Sequence, residues 1–469
     1  MKQTSDKLII WIIILTQFAS PFMFSGVAIT LPQMGRELDA SAVALGLVES
    51  VYLGLSAALL LPMGRIADAT SREVLFKIGL VGYAICTFTI SLLPDIYTVI
   101  LVRAVQGIFA AFMMATGMAI ISHKVPKEQL GRTMGFCIGA IYAGLSAGPL
   151  IAGWVTEHLG WRAVYILTFV PLAISTALAV WILPHQWKPM EEKFDWFGSL
   201  LICISIGLLI FGSASLHHGH GGFLITAGVV VLGLFFALQS KLTHPLLDLQ
   251  AMKANKDFSH ALITQLFMYA GAFGVTFLLG LYLQSVRHYS AQHAGQVLVL
   301  GPVLMAIMAP ICGRLADRFN KRAMTSLGVT MAIISLALSL QLDDQSGLAI
   351  LIAIILTQGL GFALFSSPNM AIVMSSVPPS QYSLASALGA KMRSLGMVLG
   401  MILITTITSV YLGEQSIDDA PQQYMQVMDT TFLIFIGLLA VACWLSVTTI
   451  KDHKVTTTHR ETSNATEGN

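Results

Sequence analysis

Two residues of opposite charge, Glu49 and Arg103, stand inside apolar segments of this sequence. A charged side chain at the centre of a bilayer costs about 2.5 to 3.5 kcal/mol on insertion scales, so such a residue needs a reason to be there. A carboxylate and a guanidinium can form an ion pair, and a carboxylate can also bind and release a proton. Both residues are therefore candidates for proton chemistry inside the membrane.

The two charges are predicted to lie at the same depth. The segment that carries Glu49 begins near Ala42 and the one that carries Arg103 begins near Tyr97, on the same side of the membrane. At about 1.5 Å per helical residue, each charge lies roughly 9 to 10 Å below that surface. Burial favours a neutral carboxyl group and a guanidinium favours an ionised one, so a gated contact could couple protonation to a conformational cycle. A static ion pair that locks two helices is the alternative.

Two short polar segments repeat nearly the same residues in the two halves of the chain. In each, an Asp precedes a basic residue by four positions, which permits an ion pair at a helix end. The first contains Gly64, Arg65, Asp68 and Arg72, and the second contains Gly313, Arg314, Asp317 and Arg318. Lys391 and Arg393 begin an apolar segment on the same side of the membrane, so we predict that they form an ion-paired cytoplasmic gate with the Asp68 segment.

These residues must be positioned by membrane-spanning helices. Hydrophobic residues make up 55% of the chain and charged residues only 11%, whereas a soluble domain has about 25% charged residues. Spans of about 20 apolar residues recur with short polar joints. We therefore predict an all-α integral membrane protein of fourteen transmembrane helices, which begin near residues 8, 42, 75, 97, 133, 163, 197, 222, 258, 294, 323, 347, 383 and 430.

The distribution of Lys and Arg predicts the orientation. Twenty of them lie on the side of the N-terminus, whereas only Arg36, Arg162 and Arg287 lie on the other side. Because cytoplasmic loops carry the excess of positive charge, both termini are predicted to be cytoplasmic.

The paired loops predict two six-helix bundles with two further helices inserted between them. Parallel repeats of this kind form one class of transporter, whose substrate site lies between the halves near the midplane. The predicted boundaries are residues 1–184 for the first bundle, 185–245 for the linker with the inserted pair and 246–450 for the second bundle. Residues 451–469 have too few apolar side chains to pack and are predicted to be a disordered cytoplasmic tail.

Small residues recur along the fifth span, beginning at Gly135 and Gly139. Such stripes let two helix backbones approach closely, and a proline within the helix removes one hydrogen bond and permits a bend. The stripe is therefore a candidate surface on which the two halves rock, and it continues through Gly144, Gly148, Pro149 and Gly153.

Taken together, these motifs resemble the major facilitator superfamily. The Gly-Arg-x-Ala-Asp loops are similar to its cytoplasmic signature, and Arg103 followed by Gln106 and Gly107 resembles its span-four motif. The run from Gly144 to Gly153 resembles its antiporter motif, and the run from Gly160 to Tyr165 resembles the start of span six in the fourteen-helix drug/proton antiporter branch. The resemblance covers nearly the whole chain, from Leu8 to Ile450, and implies the major facilitator fold.

The resemblance implies a proton-coupled antiporter that exports amphipathic or drug-like small molecules by alternating access. The sequence departs from the branch at Met23, where an Asp is common, so Glu49 is the candidate substitute. Uptake by proton symport is the first alternative. A non-transporting sensor would need a soluble domain to carry a signal, and an intramembrane enzyme would need a nucleophile with its base or converging metal ligands, so no catalytic residue is predicted.

The remaining expectations concern ligands and location. Flexible apolar side chains suit a cavity for varied lipophilic substrates; the candidates are Met23, Phe24, Met113 and Tyr269. His217, His218 and His220 form a trio in an outward hairpin, but the hairpin lacks acidic partners, so we predict no metal site and no cofactor. The expected partners are the lipid bilayer, a small-molecule substrate and protons, without nucleic acid. We expect a monomeric, multi-pass protein of the bacterial cytoplasmic (inner) membrane.

Overall fold

The computed structural model describes residues 2–183, 194–242, 246–247, 255–378 and 381–448, and within these ranges it consists of helices and their joints. The predicted tail at 451–469 and the predicted boundaries at 184, 245 and 450 lie outside them. The helices are α1 (Lys2–Glu37), α2 (Ala42–Ala69), α3 (Arg72–Ile90), α4 (Ile96–Lys124), α5 (Lys127–Leu159), α6 (Trp161–Ile182), α7 (Trp196–Ala214), α8 (Gly221–Gln239), α9 (Lys256–Leu281), α10 (Ala291–Leu298), α11 (Leu300–Arg318), α12 (Lys321–Ser339), α13 (Leu348–Ser375), α14 (Tyr382–Tyr411) and α15 (Pro421–Thr448).

Fourteen helical stretches among the described residues are long and apolar enough to cross a membrane, with α10 and α11 together forming one of them. The predicted all-α membrane architecture is confirmed. Thirteen predicted starts fall within three residues of the observed ones, but the last span begins at Pro421 rather than near 430. The helix is therefore more than two turns longer than hydropathy predicts. Proline suits its first position because the N–H that proline lacks would have no partner there.

The internal repeat is visible in the helix packing. In the first half, α1 packs on α5 and α6, α4 packs on α2 and α3, and α3 packs on α6. In the second half, α9 packs on α14 and α15, α13 packs on α11 and α12, and α12 packs on α15. The same set of pairings therefore occurs twice, in the same order along the chain.

The inserted helices α7 and α8 form a hairpin that packs against itself and against both halves. A short 3₁₀ turn, Leu216–His218, follows α7 before α8 begins. α7 contacts α2 of the first half and α14 of the second half, and the turn contacts α14. The inserted pair therefore lies beside the junction of the halves.

The two halves meet at the ends of the helices that are predicted to face outwards. α5 packs on α10 and α11, and α2 packs on α14. The Ser50 and Thr405 hydroxyl groups lie 3.2 Å apart across this junction. Arg36 in the last turn of α1 and Asp418 in the loop before α15 form an ion pair of 3.6 Å between the two halves.

The opposite part of α5 has more room. A Cβ atom at Gly135 or Gly139 would have no heavy atom within 4 Å, whereas one at Gly153 would meet the backbone of Ala291 in α10. One stripe of small residues is thus packed at its predicted outer end and faces open space at its predicted cytoplasmic end. This is the arrangement of an outward-closed conformation.

Candidate functional site

The helices that carry the buried charges begin with matching caps. Ser41 accepts a hydrogen bond from the backbone N–H of Ala44 at the start of α2, and Asp95 accepts one from Thr98 at the start of α4. The backbone N–H of Thr98 donates to the Asp95 carboxylate, and so does the Thr98 hydroxyl group. These hydrogen bonds, chiefly the one from the backbone, hold the pKa of the Asp95 carboxyl group below its usual range. Each charged residue lies eight positions after its cap, so parallel helices of equal rise bring them to one level.

At that level the two charges form an ion pair. Nη2 of Arg103 lies 3.0 Å from Oε1 of Glu49, and both side chains are 0% exposed. The Arg103 Nε–H also donates to the carbonyl oxygen of Val48, at 3.2 Å. A buried pair is retained only when its geometry is good and its remaining hydrogen bonds are made, and Arg103 makes bonds to two parts of α2.

Further side chains complete the surroundings of the guanidinium. Nη1 of Arg103 donates to Gln106 at 2.9 Å, and the Gln106 amide donates to the Thr87 hydroxyl group of α3 at 2.8 Å. The guanidinium carbon lies 4.2 Å from the centre of the Tyr52 ring, a cation–π contact that is strong when water is excluded. The sequence motif that contains Arg103 and Gln106 therefore connects three helices.

The two carboxylate oxygens of Glu49 have different surroundings. Oε2 of Glu49 is buried and accepts no hydrogen bond from the part of the chain that the structure describes. A buried acceptor without a partner costs about 1 to 3 kcal/mol, and more when it is charged. A proton on Oε2 would reduce that cost because the neutral carboxyl group is less strongly penalised by burial.

Gly107 allows α4 to approach α2 closely at the next residue. A Cβ atom there would lie 2.5 Å from the Tyr52 carbonyl oxygen and 3.1 Å from its Cα. These are backbone atoms of α2, so they can move only if the helices separate.

We expect Gly107→Ala to destabilise the protein by about 1 to 3 kcal/mol, the usual cost of overpacking. The measurement is thermal unfolding of the purified protein in detergent. Gly139→Ala is the matched control, because the added methyl group meets no heavy atom within 4 Å. Equal melting temperatures for the two variants would contradict the close-approach role of Gly107.

The predicted antiporter motif connects α5 to two helices. A Cβ atom at Gly144 would run into the carbonyl oxygen of Phe18 in α1, and one at Gly148 would meet Ser25. Further along, the Pro149 carbonyl oxygen occupies the space beside Gly295 of α10. The motif therefore packs α5 inside the first half and also against the second half.

Among the described residues, Lys391 and Arg393 form no ion pair with the Asp68 segment in this conformation. Asp68 pairs with Arg72 of its own segment, at 2.6 Å. In the second segment, Arg314 and Arg318 are exposed and the Asp317 side chain lies outside the description. Gly64 has open space around its Cβ position, and a Cβ atom at Gly313 would meet the Ser367 hydroxyl oxygen at 3.4 Å.

Lys391 and Arg393 also lie elsewhere than predicted. Lys391 is only 4% exposed, and its Nζ atom lies 5.9 Å from the centre of the Phe235 ring of α8. Arg393 is exposed and lies over Tyr269, at 5.8 Å from the ring centre. The sequence predicted one gate for both, whereas they point to different neighbours because they are two residues apart on a helix.

The four predicted cavity residues do not share one surface. Met23 is fully buried in the core in this conformation. Phe24 stacks on Phe273 of α9 with ring centres 4.9 Å apart. Met113 lines a small pocket between α1, α3 and α4, together with Gln17 and Ser20, whereas Tyr269 belongs to the second half.

Tyr269 is part of a cluster that the sequence did not reveal. Its ring makes an edge-on contact of 4.9 Å with Phe362 of α13. Tyr142 of α5 lies close to Tyr269, Arg393 and Ser366. These residues come from both halves, so the cluster lies between them. The members lie on four helices that are far apart in the sequence, so no local motif marks the group.

The hairpin histidines have an acidic neighbour after all. The Nε2 atom of His218 lies 3.2 Å from Oε1 of Glu414, and that of His217 lies 3.8 Å from the same oxygen. The expectation that this hairpin lacks acidic partners is therefore wrong, because the loop after α14 folds back onto it.

Comparisons with known proteins agree with this architecture. The model of the Major Facilitator Superfamily matches residues 13–401 and 261–467. The riboflavin transporter RibZ of Clostridioides difficile is 29% identical over 406 residues, which cover 85% of this chain and 87% of that protein. The puromycin resistance protein of Streptomyces alboniger is 27% identical over 410 residues, which cover 84% and 81%.

A solved structure has the same fold. A bacterial homologue of the human lysosomal transporter Spinster, in an inward-facing and unoccupied conformation, superimposes with a TM-score of 0.68 at 14% identity and covers 94% of this chain and 96% of its own. The family model spans most of the 469 residues, and the fold has the repeated packing of two six-helix halves. The chain belongs to the major facilitator superfamily of membrane transporters.

Proposed function

We propose that this transporter is a proton-coupled antiporter that exports amphipathic or drug-like small molecules by alternating access. The observation that carries the proposal is the Glu49–Arg103 pair, which is buried between α2 and α4 and leaves Oε2 of Glu49 without a partner among the described residues. A buried carboxylate oxygen that accepts no hydrogen bond is free to accept a proton, which the proposal requires.

In the proposed cycle, Glu49 binds and releases the proton. With Glu49 ionised, its negative charge holds Arg103 against α2. Protonation removes that charge, and Arg103 keeps only its hydrogen bonds to Val48 and Gln106. The ion pair is the largest of these interactions, so its loss weakens the α2–α4 contact and changes the relative free energies of the two accessibility states.

The substrate is proposed to bind at the cluster between the halves. Tyr142 and Tyr269 offer aromatic faces, and Arg393 offers a positive charge. Aromatic groups accept varied apolar ligands, and residues from both halves can close around a ligand and release it as the halves rock. Export is supported by the antiporter motif in α5 and by the resistance functions in the names of relatives such as the puromycin resistance protein.

The identity to a riboflavin transporter favours a second candidate, proton-coupled uptake of a small solute by symport. The two candidates share Glu49 as the proton carrier and differ in the direction of the coupled substrate flux. The bacterial cytoplasmic membrane, with both termini in the cytoplasm, is the proposed location for either.

The test uses full-length protein in vesicles, with puromycin and riboflavin as separate probes. For an antiporter, an acidic lumen drives substrate into the vesicle whichever way the protein is inserted. For a symporter, an acidic exterior does so. We expect accumulation with the acidic lumen and its loss when a protonophore collapses the gradient. Accumulation only with the acidic exterior would establish symport instead. Accumulation that persists after the protonophore is added would contradict proton coupling.

A further inference from the structure

The hairpin between the inserted helices lies against the outer end of α14. His217 and His218 belong to the 3₁₀ turn that follows α7, and Glu414 belongs to the loop that follows α14. Gly413 precedes Glu414 with φ of 57°, a left-handed conformation that glycine adopts without cost. This turn directs the chain back towards the hairpin, and the side chains of His217 and His218 lie with their ring centres 3.9 Å apart.

The hydrogen bonds of Ser409 determine which nitrogen of His217 carries its proton. The Ser409 hydroxyl group is 3.0 Å from the Ala214 carbonyl oxygen, which can only accept, so Ser409 donates its single hydrogen there. The same oxygen lies 2.8 Å from Nδ1 of His217 and 3.2 Å from the His217 backbone N–H. Nδ1 must therefore be the donor to Ser409, and Nε2 of a neutral His217 carries a lone pair.

That lone pair faces a second acceptor. Nε2 of His217 points towards Oε1 of Glu414, which can also only accept when it is ionised, and Nε2 of His218 faces the same oxygen. The three atoms lie within 4.8 Å of one another. Nε2 of His217 and Oε1 of Glu414 are both electron-rich, so a cation between them, with Nε2 of His218 as a third ligand, would stabilise the cluster. A hydrogen bond from the opposite ring nitrogen, as Ser409 receives here, is typical of histidines that bind metals.

The spacing agrees with a tetrahedral site. Metal–ligand bonds of about 2.0 to 2.1 Å place neighbouring ligand atoms about 3.3 Å apart. The separations of 3.2 Å and 3.8 Å from Glu414 are close to that value. Two imidazoles and one carboxylate suit Zn²⁺ and related divalent transition ions, and such three-residue sites leave a fourth position to water.

We propose that His217, His218 and Glu414 bind a divalent transition metal ion of the Zn²⁺ class at the outer face of the protein. The side chains of His218 and Glu414 are 49% and 75% exposed, so the ion has access from the aqueous phase. Bound there, it joins the inserted hairpin to the end of α14. The inference does not depend on the direction of transport or on proton coupling.

The test is a Zn²⁺ titration of the full-length protein, purified through a tag without histidine and stripped with a chelator. Binding is measured by competition with a chromogenic zinc indicator. We expect a site whose affinity falls at least tenfold in each of His217→Ala, His218→Ala and Glu414→Gln. His220→Ala is the matched control: His220 is in the same hairpin and stacks on His218 at 5.8 Å, but it supplies none of the three converging atoms.

A second measurement separates specific binding from binding elsewhere on a chain with twelve histidines. A ligand that binds the folded protein raises its melting temperature in proportion to the logarithm of its concentration, so Zn²⁺ should raise it in the parent protein and in His220→Ala but not in Glu414→Gln. Equal zinc affinity in the parent protein and Glu414→Gln would overturn the proposal. So would a loss in His220→Ala as large as that in His218→Ala.

Discussion

Glu49→Gln is expected to reduce proton-driven transport to the level of protein-free vesicles. The variant keeps the shape of the side chain but cannot ionise, so no proton can be bound and released at this position. It also leaves Arg103 as a buried charge without its counter-ion. Breaking a buried pair in this way costs about 3 to 5 kcal/mol of stability, so transport and thermal unfolding must be measured on the same preparation.

The double variant Glu49→Gln/Arg103→Gln distinguishes proton coupling from a static lock. Removing both charges avoids the unpaired guanidinium, so stability should recover most of what the single variant loses. If Glu49 carries the proton, the double variant folds and still shows no response to a pH gradient. If the pair only joins two helices, the double variant transports normally, and that outcome would refute the coupling role.

Gly295→Val is expected to open the outer side of the protein. The added side chain must displace the Pro149 carbonyl oxygen, which forces α10 away from α5 only in the conformation that is closed at the outer ends. Overpacking costs about 1 to 3 kcal/mol, so the ratio of the two accessibility states should change by a factor of about 5 to 150. Substrate transport should fall, because the cycle is held at one of its end states.

A buried reporter measures that shift. Ser50→Cys, introduced into a variant without the five native cysteines, places a thiol where the side chain is 1% exposed and contacts Thr405 of the second half. A membrane-impermeant maleimide added from outside should label it at least several-fold faster in Gly295→Val. Gly437→Val is the control, because a Cβ atom at position 437 meets no heavy atom within 4 Å and α15 packs on helices of the second half, so the labelling rate should be unchanged. Equal labelling rates in Gly295→Val and its parent would show that this contact does not close the outer side.

Much of the architecture follows from the sequence because a bilayer imposes simple rules. Length and hydropathy were sufficient for thirteen helix starts, since a span must have about 20 apolar residues. The equal depth of Glu49 and Arg103 was also predictable, because regular helices of known rise begin on the same side. Hydropathy failed at Pro421, where α15 continues beyond the apolar region into polar residues.

The sequence could not predict which way side chains face. Lys391 and Arg393 are both basic residues near the start of one apolar segment, so the sequence does not distinguish them. Lys391 is buried beside α8, whereas Arg393 is exposed between the halves. Helix rotation is fixed by packing against neighbours rather than by hydropathy. Glu414 is far from the histidines in sequence, and only the fold of the loop after α14 brings them together. Met23 was placed in a cavity by its residue type, whereas its position on α1 puts it in the core in this conformation.

The position of α7 has a consequence for how lipid-soluble molecules reach the space between the halves. Two long seams run along the junction: α7 packs over the seam between α2 and α14, whereas no comparable helix contact covers the seam between α5 and α11 in the described part of the chain. We therefore expect α7 to shield the α2–α14 seam from molecules dissolved among the acyl chains. The two halves are related by the internal repeat, but the inserted pair lies beside only one of the two seams. The two seams therefore differ in how they face the bilayer.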